Sequence, residues 1–327
     1  MNRRDTVLAL LALAAAPVVS LAQQPMSRMR RIGLLGATTA VGIASRLAAF
    51  RAGMSDLGYV EGKNLMIEFR WAEGKYDRLP ELAAELVRLN VELIVTGGTP
   101  GVLAAKHATT SIPIVMAAQA DSVASGIVIS LARPGENITG SSFFGSEILA
   151  KRLEWIKEVL PQIRRIGFLA NSGTAPRPQQ AFKVMNVTAK SLNVELESFE
   201  VSRPEEFERV FSDMVRRRVS AVAVQEEGML TANAALIASM AARNRIAAIG
   251  SIEFAEVGCL MGYGPDGPAL YRRAAVFADK ILKGAKPGDL PIEQPTTFEL
   301  VINRKTAKTL GIKIPPSILV RADRVIE

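Results

Sequence analysis

An internal repeat restricts the fold of this 327-residue chain more than any other feature. The run Arg30-Arg31-Ile32-Gly33-Leu34-Leu35 returns as Arg164-Arg165-Ile166-Gly167-Phe168-Leu169. After the first copy come Val91-Glu92-Leu93-Ile94-Val95 and Ile112-Pro113-Ile114-Val115-Met116. After the second come Val219-Ser220-Ala221-Val222-Ala223-Val224 and Ile246-Ala247-Ala248-Ile249. Short apolar runs alternating with amphipathic stretches predict strands and helices in turn, hence parallel sheets with right-handed crossovers. Two such halves predict an α/β protein of two Rossmann-like lobes. The cleft between them is a favoured place for a ligand.

The length suits two domains, each able to bury a core. A hydrophobic fraction of 49% and a charged fraction of 22% are those of a folded globular chain. The net charge of +8 is spread along both halves. Its densest run, Arg216-Arg217-Arg218, closes a predicted helix, where cations complement the dipole. Neither a helix-turn-helix nor an aromatic-basic pattern accompanies the charge, which argues against nucleic acid as a partner.

At the N-terminus, Arg3-Arg4-Asp5 precedes an apolar stretch from Val7 to Val19, then Ser20-Leu21-Ala22 and Gln23-Gln24-Pro25. A positive start, a short hydrophobic region and small residues before a polar run read as a cleavable export signal over residues 1–22. The paired arginines admit the twin-arginine route, and the ordinary secretory route would accept the same segment. The mature protein is expected in a bacterial periplasm, soluble, with no other apolar stretch long enough to span a bilayer. Cys259 is the single cysteine, so it forms no internal disulfide; its apolar neighbours predict a buried thiol.

In each half the pattern sets the elements. Leu65, Ile67, Phe69 and Trp71 alternate with Glu68 and Arg70 as in a strand with one polar face. Leu79, Leu82, Ala83, Leu86 and Val87 fall at helical spacing. In the second half helices are expected near Gln179–Leu192, Pro204–Arg217 and Leu230–Arg243. Ligands in such sheets sit beyond the carboxyl ends of the strands, and the candidate binding residues follow from that rule. Gly97, Gly98 and Thr99 join a strand to a helix, where glycines permit close backbone approach and free amides attract an anion. Ala37, Thr38 and Thr39 lie on the first loop, and Asn171, Ser172 and Thr174 on its counterpart. Both loops offer hydrogen-bonding groups to a small polar molecule, although helix capping uses the same residue types. Gln119, Asp121, Glu226, Glu227 and Glu253 lie at strand ends, and an acid there could hold an ammonium group. Glu227 also reads as a helix-start residue. Phe143, Phe144, Phe254 and Tyr263 suit either a ligand ring or hinge packing. His107 is the only histidine, no metal-ligand spacing or Ser-His-acid set is evident, and no catalytic residue, metal or cofactor is expected. A carboxylate pair working on a small substrate stays open as an enzymatic alternative.

Longer words carry a resemblance. They are Ser130-Leu131-Ala132-Arg133-Pro134-Gly135-Glu136-Asn137-Ile138-Thr139-Gly140, Lys151-Arg152-Leu153-Glu154 and Leu260-Met261-Gly262-Tyr263-Gly264. Toward the end come Ile281-Leu282-Lys283-Gly284-Ala285-Lys286-Pro287, Leu290-Pro291-Ile292-Glu293-Gln294-Pro295-Thr296 and Ala322-Asp323-Arg324-Val325-Ile326-Glu327. With these words the chain resembles the ABC-transporter substrate-binding proteins of the TrpX-like group over essentially its whole mature length. The resemblance implies a periplasmic-binding-protein type I fold, with two lobes joined by three crossovers. Residues 29–142 plus 264–295 would form the first lobe, and residues 143–263 plus 296–327 the second. It also implies a monomer that captures a small polar ligand, an amino acid or similar, by hinge closure. A separately encoded ABC permease and ATPase would receive that ligand, with transient docking at the membrane. A ligand-sensing partner of a membrane receptor would use the same fold. Characterised members of the group take aromatic amino acids. Where the family usually reads Gly-Asp-Pro-Val, this chain has Ala120-Asp121-Ser122-Val123, keeping the acid in an altered loop.

Overall fold

The computed structural model describes residues 28–174 and 177–327. The expected export segment, residues 1–22, lies outside the described residues. The first sheet is built from β1 (Arg30–Gly36), β2 (Leu65–Trp71), β3 (Ile94–Thr96), β4 (Ile114–Ala120) and β5 (Ile138–Phe143). Its order is β2-β1-β3-β4-β5, parallel throughout. Helices α1 (Ala44–Asp56), α2 (Leu79–Arg88) and α3 (Thr99–Ala108) connect its first four strands.

The chain then crosses into α4 (Gly145–Val159), β6 (Arg165–Asn171), α5 (Arg177–Ser191), β7 (Glu195–Val201), α6 (Phe207–Arg216) and β8 (Ala221–Val224). It continues through α7 (Gly228–Ala232), α8 (Ala234–Arg243), β9 (Ala247–Gly250), α9 (Ile252–Glu256) and β10 (Met261–Gly264). The strands β7-β6-β8-β9-β10 repeat the order of the first sheet, again in parallel. The repeated Arg-Arg-Ile-Gly segments become β1 and β6, each the second strand from an edge and flanked on both sides. Both are buried on two faces beyond their first residues, which is why they read as unbroken apolar runs. Helix α6 shows how periodicity becomes packing. Phe207, Val210, Phe211 and Met214 recur at i, i+3, i+4 and i+7, and all four are buried. Each such side chain stabilises the fold by roughly 1.5–3 kcal/mol relative to exposure.

After β10 the chain returns to the first lobe. Helix α10 (Gly267–Leu282) lies against α1, sharing a core with Phe50 and Met54. A β-carbon on Gly53 would come within 2.9 Å of both Ala275 Cβ and the Arg272 carbonyl oxygen, so this close crossing requires glycine. Backbone bonds from Ser142 N to Glu293 O and from Glu293 N to Gly140 O then tie the returning strand to β5. A third crossing leads to β11 (Glu299–Asn303), α11 (Arg304–Leu310), α12 (Pro316–Arg321) and β12 (Arg324–Ile326). Strand β11 is antiparallel to β10, and β12 pairs with β11, extending the second sheet to seven strands.

One expected element differs. The helix over Leu230–Arg243 is two helices, α7 and α8, separated at Asn233. The backbone there leaves helical geometry at φ −106° and ψ 19°, and the Asn233 amide donates to Met229 O at 2.8 Å. That side-chain bond satisfies a carbonyl and ends the first helix.

Candidate functional site

The carboxyl ends of the two sheets face each other across a partly open cavity, which leaves about 80 Å³ to the centres of water-sized spheres. Its first-lobe wall is made of Gly36, Ala37 and Thr38 after β1, Gly97, Gly98, Thr99 and Pro100 after β3, Ala118 and Ala120 of β4, and Phe143 of β5. Gly98 turns the chain from β3 into α3 at φ 73° and ψ 149°, a region essentially reserved for glycine. Its N–H donates to Ala118 O at 3.0 Å, and its carbonyl accepts from Val102 N at 3.1 Å as α3 begins. The N-terminal turn of α3, with its partial positive charge, therefore borders the cavity.

The second-lobe wall carries the opposite sign. Glu226, Glu227 and Gly228 follow β8, and Thr231 lies in α7. Arg152 of α4 is 0% exposed, and its Nη2 donates to Glu226 Oε2 at 2.7 Å. Nε and Nη2 also donate to Tyr263 O and Nη1 to Val224 O, so all three nitrogens of the buried guanidinium are engaged. Glu226 Oε1 lies 4.0 Å from Nη2 of Arg46, which belongs to α1 of the other lobe. Arg46 in turn donates from Nε at 3.0 Å and Nη2 at 2.6 Å to Glu253 Oε1. Burial opposes charge on both partners. The Arg46 guanidinium nevertheless holds the Glu253 carboxyl down at about 2, and the Glu253 and Glu226 carboxylates hold Arg46 above its ordinary value.

A second bond spans the lobes at the edge of the cavity. The hydroxyl of Tyr76, in the turn Tyr76–Arg78 after β2, donates to Glu227 Oε1. It also accepts from Met229 N at 3.1 Å, while Glu227 Oε2 accepts from Leu230 N at 3.1 Å and caps α7. Burial, then the Glu227 charge, raise the phenol's pKa and keep it a donor. Outside this contact lies a larger groove of about 1110 Å³, bordered by Thr38, Thr39, Tyr76, Asn171, Gly173, Arg203, Asn233 and others.

The sequence-selected residues thus divide. Ala37, Thr38, Gly97, Gly98, Thr99, Glu226 and Glu227 border the inner cavity. Thr39 and Asn171 border the outer groove. Gln119 is buried beside the wall, its Nε2 donating to Thr99 Oγ1 at 3.0 Å. Ser172 and Thr174 turn back on their own lobe, donating to Val201 O and Asn171 O. Glu253 faces Arg46.

Asp121 is placed elsewhere. It ends β4 at φ 53°, and its carboxylate accepts from Gly145 N at 3.0 Å and from Ser146 N and Oγ at 3.2 Å. Those donors open α4, so the acid caps a helix across the first crossover instead of facing the cavity. Glu227, read as a possible solvated helix-start residue, does start a helix but is buried. Among the aromatic residues, Phe143 lines the cavity, Phe254 is core, and Tyr263 stacks on Phe298 at 6.3 Å.

Sequence reasoning passed over Arg46, Tyr76 and Tyr271. Arg46 had a legible signal: a cation in the first turn of a helix opposes the dipole and calls for a reason. Tyr271 reaches the cavity from α10, with its hydroxyl against Gly97. Among the described residues no cluster of three or more metal-ligand side chains occurs, and no helix is long and apolar enough to cross a membrane.

With this geometry in view, known proteins place the chain. The family model described as ABC transporter substrate binding protein matches residues 41–326. A tyrosine-binding protein of Clostridioides difficile (strain R20291) is 29% identical over 265 residues, covering 81% of this chain and 76% of the relative. The ABC domain from Streptococcus pneumoniae, solved in complex with L-Trp, is similar at a TM-score of 0.84 and 27% identity. The match covers 91% of this chain and all of that one. A conserved domain protein from Vibrio cholerae has a TM-score of 0.85 at 24% identity, with the same coverage. The two lobes of parallel α/β structure have the periplasmic-binding-protein type I architecture. The chain belongs to the ABC transporter substrate binding proteins, which bind small molecules outside the cytoplasm for an ABC permease and its ATPase.

Proposed function

We propose that this protein captures an α-amino acid with an apolar or aromatic side chain in the inner cavity and delivers it to its permease from the periplasm. The observation that carries the reading is the opposed polarity of the two walls. One wall presents the N-terminal turn of α3, which suits a carboxylate. The other presents Glu226, whose Oε2 is held by Arg152 while Oε1 stands 4.0 Å from Arg46 Nη2. That oxygen suits an ammonium group. Phe143, Leu270 and Tyr271 supply an apolar surface between them. The two similar proteins whose descriptions name tyrosine and L-Trp support the same class.

Binding calls for no covalent step. Both oxygens of Glu227 and one of Glu226 are engaged in structural contacts, which supports a binding role for this wall. Residues 1–22 would direct export and be removed, and the mature chain would act as a monomer that closes around its ligand. Thermal-shift screening of purified protein over amino acids, aromatic carboxylates, purines and sugars tests the class. L-tyrosine or L-tryptophan should raise the melting temperature, and calorimetry should give a Kd of about 1 μM or tighter. Stabilisation by a sugar or purine with no response to any amino acid would reject the reading, and turnover of a supplied sugar or ester would replace it with an enzymatic one.

A further inference from the structure

We propose that Tyr76 is a specificity-determining lock that joins the two lobes and sets the length limit of the ligand. The interlobe space is divided in two, a narrow inner cavity and a wide outer groove, which leave about 80 and 1110 Å³ to the centres of water-sized spheres. Tyr76 and Thr38 border both spaces. The Tyr76 hydroxyl reaches from the first lobe to Glu227 and Met229 of the second, donating to one and accepting from the other. Contact continues on either side. A β-carbon on Gly228 would stand 3.6 Å from Tyr76 Oη and 3.8 Å from Thr38 Cγ2, and one on Gly42 only 3.0 Å from Ala232 Cβ. The two walls therefore come together at Tyr76 with no room for larger side chains at Gly42 and little at Gly228.

Two consequences follow from one residue. The hydroxyl makes its interlobe bonds only when the lobes are together, so it favours closure by the difference between those bonds and bonds to water. The ring ends the inner compartment, so a ligand extended beyond a single amino acid must displace it to enter the groove. The groove beyond is polar, bordered by Glu73, Lys75, Asp77, Arg203 and Glu205. It would accept a peptide extension if the ring were gone. The length limit rests on the amino-acid reading above, whereas the lobe-locking role does not.

The test separates the two. Spin labels at Glu81→Cys on α2 and Arg209→Cys on α6 report lobe separation in the full mature chain, and the buried Cys259 does not take label. Tyr76→Phe should move the interspin distribution toward longer distances and weaken L-tyrosine or L-tryptophan binding roughly ten- to a hundredfold through faster dissociation, the loss of a charge-assisted hydrogen bond. It should keep the rejection of Tyr-Gly and Trp-Gly dipeptides. Tyr76→Ala should bind those dipeptides with micromolar affinity, where wild type does not. An unchanged distance distribution in Tyr76→Phe overturns the lock. Continued dipeptide rejection by a folded Tyr76→Ala that still binds the amino acid overturns the length limit. If wild type binds neither amino acid, the amino-acid reading and the length limit both fail, and the distance distribution alone decides the lock.

Discussion

The loops after β3 and β8 occupy equivalent places in sheets of the same order, yet they carry opposite chemistry. In the first lobe the loop is Gly97-Gly98-Thr99, uncharged, and it delivers the positive end of a helix to the cavity. In the second it is Gln225-Glu226-Glu227, and it delivers carboxylates. The loops after β1 and β6 diverge as well. Ala37 and Thr38 border the cavity, whereas Thr174 and Gly173 fold onto Asn171 within their own loop. A repeated scaffold thus fixes where chemistry can be placed, while each copy's loops decide its sign and whether it reaches the ligand at all.

The most severe way to break the acidic side is Glu226→Ala. It would leave Arg152 buried without its carboxylate partner and take one of two acids from Arg46. A loss of about 3 kcal/mol in unfolding free energy is expected, read by urea titration, because an unpaired buried charge costs several kcal/mol. Glu226→Gln should recover part of it.

Acid attacks the same side through Glu253. Its folded pKa of about 2 lies below the ordinary 4.5, so its contribution is complete above about pH 4.5 and disappears as pH falls toward 2. The partner, Arg46, belongs to the opposite lobe. Melting temperature should therefore fall across that window more steeply in wild type than in Glu253→Gln. Equal slopes would mean the pair does not hold the lobes.

Asp121→Ala separates a helix cap from a ligand contact. Stability should fall by about 1 kcal/mol, the usual cost of a lost cap, with ligand affinity held within twofold. A collapse of affinity at unchanged stability would return Asp121 to the binding site. The smallest effect sharpens the loop comparison: Ser172→Ala should change stability by no more than about 0.5 kcal/mol and leave affinity unaltered. Thr38→Ala, on the corresponding loop, should weaken binding measurably in the same calorimetric assay.

These contrasts also explain what was readable in the chain. The strand–helix alternation was legible because parallel strands covered on both faces need apolar residues on both sides, and β1 and β6 display them almost residue for residue. Gly97-Gly98 was legible because few turns require that backbone. Asp121 was misplaced because sequence shows an acid at a strand end but not the amides of Gly145 and Ser146 opposite it. Tyr76 was invisible, and Arg46 showed only a cation at the wrong end of a helix with no hint of its partner, for a related reason. Their partners, Glu227 and Glu253, lie in the other lobe, and no periodicity links residues that meet only when two sheets face each other.

The C-terminal return of the chain has a consequence for the order in which the protein can be made. Helix α10 completes the packing on α1, and β11 and β12 complete the second sheet. Neither half can close its interior while the ribosome is still adding residues before 267, and the second waits until 326. A nascent chain with this architecture stays unfinished through most of its synthesis. Both lobes therefore reach completion together, near the end of synthesis, rather than one after the other.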